Sequence, residues 1–199
     1  MTRWKIVYIK QAQKDAKKIA IAGLKPKTQK LLEILQVNPF KNPPGFEKIV
    51  GDLLLSKKQT LALAESCTGG YISHLITSVS GSSAYYNGSV VPYHNQFKEE
   101  LLGLDEGVFS TEGAVSEACV KQMATGVKKR FKADYAIATS GIAGPTGGTP
   151  EKPVGTVWIA IATPQTTIAQ KFIFSTDRGR NIQTTALTAL NMLRKMLVQ

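Results

Sequence analysis

Residues that build metal centres and disulfide frameworks are scarce in this sequence, which has two Cys and two His among its 199 residues. Cys67 and Cys119 are too few for a disulfide framework, so we expect a reducing, cytoplasmic compartment. His74 and His94 are too few for a His-rich metal site, and the carboxylates show no metal-ligand spacing. The sequence therefore predicts no metal centre.

Long apolar runs are also missing, because no run reaches the roughly 20 residues that a membrane helix needs. The opening "MTRWKIVYIKQAQ" carries charge too early for the apolar region of a signal peptide. We expect a protein without membrane contact.

Positive charge is plentiful but unevenly distributed. Residues 1–55 hold 11 Lys and Arg against 4 Asp and Glu, which is +7 of the net charge of +11. This asymmetry indicates two joined pieces of different origin. The basic helices of the first piece could be a solvated surface or a nucleic-acid footprint.

Two patterns of secondary structure follow the two pieces. "WKIVYI", "KQAQKDAKKIAIAGL" and "PKTQKLLEILQ" predict a short β-α-α extension. From "TLALA" onward strands alternate with helices, which predicts an α/β fold: a layered α/β/α domain with a mixed sheet. We expect a turn near Asn87–Gly88, helix N-caps at Asn95 and Ser116, and a hairpin around Pro164.

The stretch "LALAESCTGG" predicts a strand that ends in Ser66 and leads into a helix opened by Gly69 and Gly70. Unpaired N–H groups at a helix start, here those of Thr68 to Gly70, could stabilise an oxyanion beside a serine nucleophile. An ordinary helix cap explains the same residues. Cys67 is a rival nucleophile, because a helix N-terminus lowers the pKa of a thiol.

A serine nucleophile needs a base, and three residues could supply it. His74 lies within a predicted helix, His94 flanks another, and neither has a recognisable triad setting. Lys98 could act if burial lowers its pKa, although an exposed and solvated lysine is the alternative.

"ATSGIAGPTGGTPEKPVGT" predicts a buried strand that delivers Thr139, Ser140 and Gly141 into a loop of small residues. Open α/β sheets bind ligands at the carboxyl ends of their strands, and exposed backbone N–H groups suit phosphate. Arg178 and Arg180 could contact that phosphate. A plain glycine-rich connection and surface arginines are the alternatives.

Five stretches occur together and in order: "LALAESCTGG", "GSVVPYHNQFKEELLG", "GAVSE", "SGIAGPTGGTPEKPVGTVWIAIA" and "DRGRNIQTTALTALNML". Over residues 47–199 the chain resembles the CinA C-terminal domain, the nicotinamide-nucleotide amidase family. The resemblance implies hydrolysis of nicotinamide mononucleotide to nicotinate mononucleotide and ammonia, without a cofactor. It also implies a small-molecule nucleotide substrate and, we expect, a homo-oligomer.

The resemblance also implies roles for particular residues. Ser66 is then the nucleophile and Lys98 the base, with Tyr93 from the same Tyr-x-Asn motif orienting Lys98 or relaying a proton. The implied substrate-binding residues are Thr68, Gly69, Gly70, Asn95, Thr139, Ser140, Gly141, Gly144 and Arg178.

Residues 3–53 resemble the N-terminal half of a Txe/YoeB-type toxin, a ribosome-dependent mRNA endonuclease. Glu47 of "GFEKIVGDL" matches the catalytic glutamate of that family, but the sheet with its other catalytic residues is missing. The predicted domains are thus a toxin fragment over residues 1–46 and an amidase over residues 47–199. Two other functions stay open: a catalytically silent nucleotide-binding module, and RNA or ribosome contact through the basic segment.

Overall fold

Strands and helices alternate along the chain in the computed structural model, which describes residues 45–198. Within that range the helices are α1 Phe46–Lys57, α2 Tyr71–Thr77, α3 Asn95–Leu102, α4 Gly107–Thr111, α5 Glu117–Arg130 and α6 Arg178–Leu197. The strands are β1 Leu61–Glu65, β2 Tyr86–Val90, β3 Tyr135–Gly141, β4 Thr156–Ala162 and β5 Thr167–Ile173. A single 3₁₀ turn, Ser82–Ala84, precedes β2.

The strands form one mixed sheet in the order β2-β1-β3-β4-β5. β1 pairs in parallel with both β2 and β3, whereas β4 pairs antiparallel with β3 and β5. The carboxyl ends of β1, β2 and β3 therefore share one edge of the sheet. The start of β4 lies at that edge too, because Gly141 pairs with Val157.

Alternate residues of the central strands face two separate cores, which makes the domain three-layered. Leu61, Leu63 and Ile137 pack with α1, α2 and α6 on one face, and Ala62, Ala64, Ala136 and Ala138 pack with α5 on the other. The alanines let α5 approach the sheet closely. The predicted α/β/α architecture with a mixed sheet is confirmed.

Two local predictions are wrong. Asn87 and Gly88 lie inside β2 rather than in a turn, since that strand runs parallel to β1 and cannot form a tight hairpin with it. α3 has His94 at its N-cap position and no side-chain cap, while the Asn95 side chain contacts Lys98 instead. The Ser116 cap and the hairpin around Pro164 are confirmed.

The predicted toxin fragment lies almost entirely outside the described residues. Glu47, which matches the catalytic glutamate of the toxin family, is described and lies in the first turn of α1. Val50 and Leu54 of that helix are fully buried in the core of the α/β domain. Within residues 45–198, no helix is long and apolar enough to cross a membrane.

Candidate active site

The turn between β1 and α2 carries the predicted nucleophile at the shared sheet edge. Ser66 follows the last residue of β1 and its N–H donates to the Thr139 carbonyl of β3, at 3.0 Å. Gly70 precedes α2 with φ of 93°, a left-handed conformation that disfavours residues with a Cβ. The glycine allows the chain to turn sharply from strand to helix and leaves Ser66 half-buried at the strand end.

The start of α2 already binds an anion, which is the carboxylate of Glu65. This fully buried side chain accepts hydrogen bonds from the N–H groups of Gly70, Ile72 and Ser73 at 2.8–3.1 Å. The N–H of Gly69 donates to the Ser66 carbonyl. The N–H groups of Gly69 and Gly70 are therefore already engaged within the fold, which argues against the oxyanion role predicted for them.

Lys98 lies on the buried face of α3, four residues before Leu102, with 2% of its surface exposed. Its Nζ donates to Asn95 Oδ1 at 3.3 Å, and no Asp or Glu of residues 45–198 forms a salt bridge with it. Burial lowers the pKa of Lys98 below its ordinary value. The solvated alternative for this lysine is therefore excluded.

Both thiols of the chain are buried near Lys98, and both are held protonated. Burial raises the pKa of Cys67 to about 12, with the Glu65 charge contributing in the same direction. Burial also raises the pKa of Cys119 to about 11, opposed by the nearby Lys98 charge. Because the thiolate is the reactive form, Cys67 is a poor nucleophile at neutral pH.

A cavity of about 320 Å³ opens at the sheet edge and joins several of the predicted residues. Its volume lies within the range of small-molecule sites. Two basic side chains, Lys98 and Arg178, line it, and no carboxylate of the described residues does. The full lining comprises Ser66, Cys67, Tyr93, Asn95, Lys98, Ala114, Val115, Ser140, Gly141, Ile142, Ala143, Gly144, Thr146, Gly147 and Arg178.

Arg178 joins two walls of this cavity. Its guanidinium donates to the Gly144 carbonyl and to the Tyr93 hydroxyl, both at 2.9 Å. Gly144 has φ of 89°, and a Cβ there would lie 2.5 Å from Val154, so only glycine fits. The hydrogen-bonding partner of Tyr93 is thus Arg178, whereas that of Lys98 is Asn95.

Four of the predicted binding residues lie outside the lining. The hydroxyls of Thr68 and Thr139 hydrogen-bond each other at 2.8 Å, both buried, and Gly69 and Gly70 lie in the turn. His74 and His94 are exposed and do not line the cavity. The Thr68–Thr139 pair supports the turn that carries Ser66, since the Thr139 carbonyl also accepts the Ser66 N–H.

Several lining residues were not predicted from the sequence, among them Ala114, Val115 and Thr146. Apolar side chains carry no signal of chemistry, and Ala114 and Val115 line the cavity from a loop that is 48 residues beyond Ser66. The "GAVSE" stretch, which includes Ala114 and Val115, was the one sign in the sequence that this loop belongs to the site. Ser140 donates to the Ala114 carbonyl at 2.6 Å and ties that loop to β3.

The fold and the cavity define a class: a three-layered α/β domain with a small-molecule cleft at the carboxyl edge of its sheet. Among residues 45–198 no three His, Cys, Asp or Glu side chains lie together as a metal site would need. The family model of the CinA C-terminal domain matches residues 45–197. The chain belongs to this family.

Relatives of known sequence and structure agree with that assignment. The chain is 52% identical to a CinA-like protein of Cytophaga hutchinsonii over 151 residues, covering 76% of this chain and 36% of the relative. It is 48% identical to a CinA-like protein of Salinibacter ruber over 151 residues, with coverage of 76% and 37%. The chain thus spans little more than a third of these relatives' length.

Solved structures match the domain over nearly their whole length. The competence/damage inducible protein CihA from Agrobacterium tumefaciens is 35% identical with a TM-score of 0.73, covering 79% of this chain and 98% of that one. The competence damage-inducible protein A from Klebsiella pneumoniae is 31% identical with a TM-score of 0.74, with coverage of 78% and 99%.

Proposed function

We propose that this chain is an amidase that hydrolyses nicotinamide mononucleotide to nicotinate mononucleotide and ammonia. The observation that carries the proposal is a buried lysine, Lys98, that shares a cavity with Ser66 and has no carboxylate partner among residues 45–198. A buried lysine without a carboxylate partner loses its proton more readily than a solvated one, so it can act as a general base. Ser66, which lines the same cavity, is the nucleophile that such a base would activate.

The proposed reaction has two halves. Neutral Lys98 takes the Ser66 hydroxyl proton while Ser66 Oγ attacks the carboxamide carbon, and the carbonyl π electrons move to its oxygen. Collapse of this intermediate breaks the C–N bond, and the Lys98 ammonium gives its proton to the departing ammonia. Water then attacks the ester, Lys98 accepts the water proton, and release of nicotinate mononucleotide returns that proton to Ser66.

Cavity charge and contacts support the other assigned roles. Arg178 is a cation without a carboxylate neighbour in the lining, so it suits the substrate phosphate. Asn95 orients Lys98, since it accepts the lysine's hydrogen bond. Tyr93 supports Arg178 rather than Lys98, which revises the role that the sequence assigned to it. A homo-oligomeric state and a cytoplasmic location belong to the same proposal.

The test is ammonia release from nicotinamide mononucleotide by the intact chain and two neighbouring variants. Ser66→Ala should reduce kcat by on the order of 10³-fold or more, as loss of a nucleophile does. The matched variant Cys67→Ala should keep most of the activity, because the pKa of that thiol is about 12 and it stays protonated.

Two results would contradict this assignment. An inactive Cys67→Ala beside an active Ser66→Ala would identify the thiol as the nucleophile. Saturable binding of nicotinamide mononucleotide without ammonia release would identify a silent nucleotide-binding module instead.

A further inference from the structure

The loop between α4 and α5 forms one wall of the cavity, and side chains donate hydrogen bonds to a run of its backbone carbonyl groups. All four consecutive carbonyls of residues 112–115, which we call the wall segment, accept a hydrogen bond from a side chain. Lys152 Nζ donates to Glu112 and Val115, both at 2.9 Å, Ser116 Oγ to Gly113 at 2.8 Å, and Ser140 Oγ to Ala114 at 2.6 Å.

Lys152 connects two walls of the same cavity. It belongs to the loop of residues 142–155, whose first half lines the cavity through Ile142 to Gly147. Its backbone is fixed by a closed turn, in which its N–H donates to Thr149 Oγ1 and its carbonyl accepts from the Thr149 N–H. The half-buried ammonium has no salt bridge within residues 45–198, so its two hydrogen bonds in that range go to carbonyls of the wall segment.

Fixing the carbonyls also fixes the N–H groups of the same peptide units. In a trans peptide the C=O and N–H point in opposite directions. The Val115 N–H therefore points away from Ser140, and the Ser116 N–H points away from Lys152. The N–H groups of Ala114 and Val115 have no acceptor among residues 45–198, so their hydrogen bonds go to solvent or to a bound group.

We propose that Lys152 is a positioning residue that holds the wall segment in place for substrate binding. It acts through Ala114 and Val115, which line the cavity, and does not itself line it. We call the two hydrogen bonds from Lys152 to the wall segment the latch. The substrate part of this inference rests on the proposed amidase function, whereas the latch does not. Lys152→Met should keep the methylene stem and lose the two hydrogen bonds.

The first test measures the latch by itself, with NMR relaxation of the intact chain. Backbone order parameters of Ala114 and Val115 should fall from about 0.85 toward about 0.6 in Lys152→Met. Lys152→Arg, which can donate to both carbonyls, should restore them. Lys171→Met, on an exposed position of β5, is the matched control and should change nothing. Unchanged order parameters in Lys152→Met would overturn the latch.

The second test measures its effect on the site, with steady-state ammonia release and NMR titration of nicotinate mononucleotide. Lys152→Met should raise KM by about tenfold, or about 1.4 kcal/mol, with kcat within about threefold, and Lys152→Arg should recover most of the loss. Tm should drop by no more than about 2–4 °C. A fall in kcat at constant KM would overturn the positioning role.

The two tests separate this inference from the proposed function. If the wild-type chain binds nicotinate mononucleotide but releases no ammonia, the amidase proposal fails and the titration still decides the role of Lys152. If it neither binds nor reacts, the substrate part fails as well, and the order parameters alone decide the latch.

Discussion

At the scale of single residues, the site depends on where the fold leaves charge unpaired. Glu65 is buried, and its carboxylate is matched by donors from α2. Lys98 is also buried, but its one hydrogen bond among the described residues goes to a neutral amide oxygen. The N–H donors satisfy the hydrogen-bonding capacity of the Glu65 carboxylate, whereas a buried ammonium with one neutral acceptor is poorly stabilised as a cation. Burying Lys98 without a charged partner therefore costs the fold stability.

The buried Lys98 should make the stability of the fold depend on pH. Burial lowers the pKa of Lys98 in the folded state, so the unfolded chain binds more protons between that value and the ordinary value of about 10.4. The free energy of unfolding should rise with pH through this window, and below it the full penalty of the buried charge remains. Lys98→Met should thus raise Tm at pH 7 by about 2–4 °C, an effect of about 1 kcal/mol, and flatten its pH dependence.

The same residue gives a prediction for catalysis. Lys98→Met and Lys98→Arg should both release almost no ammonia, because neither side chain can accept a proton near neutral pH. In the wild-type chain kcat/KM should increase with pH, with a midpoint below about 10.4. Arginine keeps the charge and so serves as the control for electrostatic binding. A Lys98→Arg enzyme with near-normal turnover would exclude Lys98 as the base.

At the scale of elements, α3 holds Lys98 in place by packing against α5. The contact is close: a Cβ built on Gly126 of α5 would lie 2.1 Å from the Leu102 carbonyl oxygen of α3. Glycine is normally unfavourable within a helix by about 0.5–1 kcal/mol relative to alanine. Its presence in the middle of α5 is explained by this approach of the two backbones.

Gly126→Ala should therefore force α3 away from α5 and displace Lys98. We expect Tm to fall by several degrees and kcat to fall by about tenfold or more, since small misplacements of catalytic groups are costly. Gly179→Ala in α6 is the matched control, because the nearest atom to its Cβ would be 3.5 Å away and alanine favours the helix. Thermal unfolding and ammonia release measure both effects. Wild-type behaviour of Gly126→Ala would show that the position of α3 is not critical.

At this scale, elements with a local sequence signal were predicted correctly. The Ser116 cap, the hairpin around Pro164 and the buried strand before Ser140 follow from short-range pattern, and each is confirmed. The turn at Asn87–Gly88 failed because pairing with β1 overrode the local preference of that dipeptide. The partner of Glu65 could not be foreseen, since a glutamate at the end of a strand gives no sign of which donors the fold brings to it.

At the scale of the whole molecule, the sheet edge collects chemistry from distant parts of the chain. Ser66, Lys98, Ser140 and Arg178 come from four separate elements, and they share one cavity because the parallel strands end at the same edge. The sequence predicted these four residues individually. Their common cavity depends on the strand order, which local pattern does not encode.

The domain that carries the site begins near residue 45, where the family match also begins. About 78% of this chain accounts for 99% of the Klebsiella pneumoniae structure, so the match extends over essentially all of that structure. All lining residues of the cavity lie between Ser66 and Arg178. The domain from residue 45 onward therefore contains every group that the proposed reaction uses.

Deletion of residues 1–44 should accordingly leave ammonia release within a few-fold of that of the intact chain. α1, which begins at Phe46, must stay, because Val50 and Leu54 are fully buried in the core and their loss would open it. A longer deletion through residue 57 is the matched control and should abolish folding, as judged by circular dichroism.

Expression of the intact chain in cells should not arrest translation. Glu47 is the single catalytic residue of the toxin family that we recognise in this sequence. Ribosome-dependent mRNA cleavage that disappears in Glu47→Ala would contradict this view of the N-terminal segment.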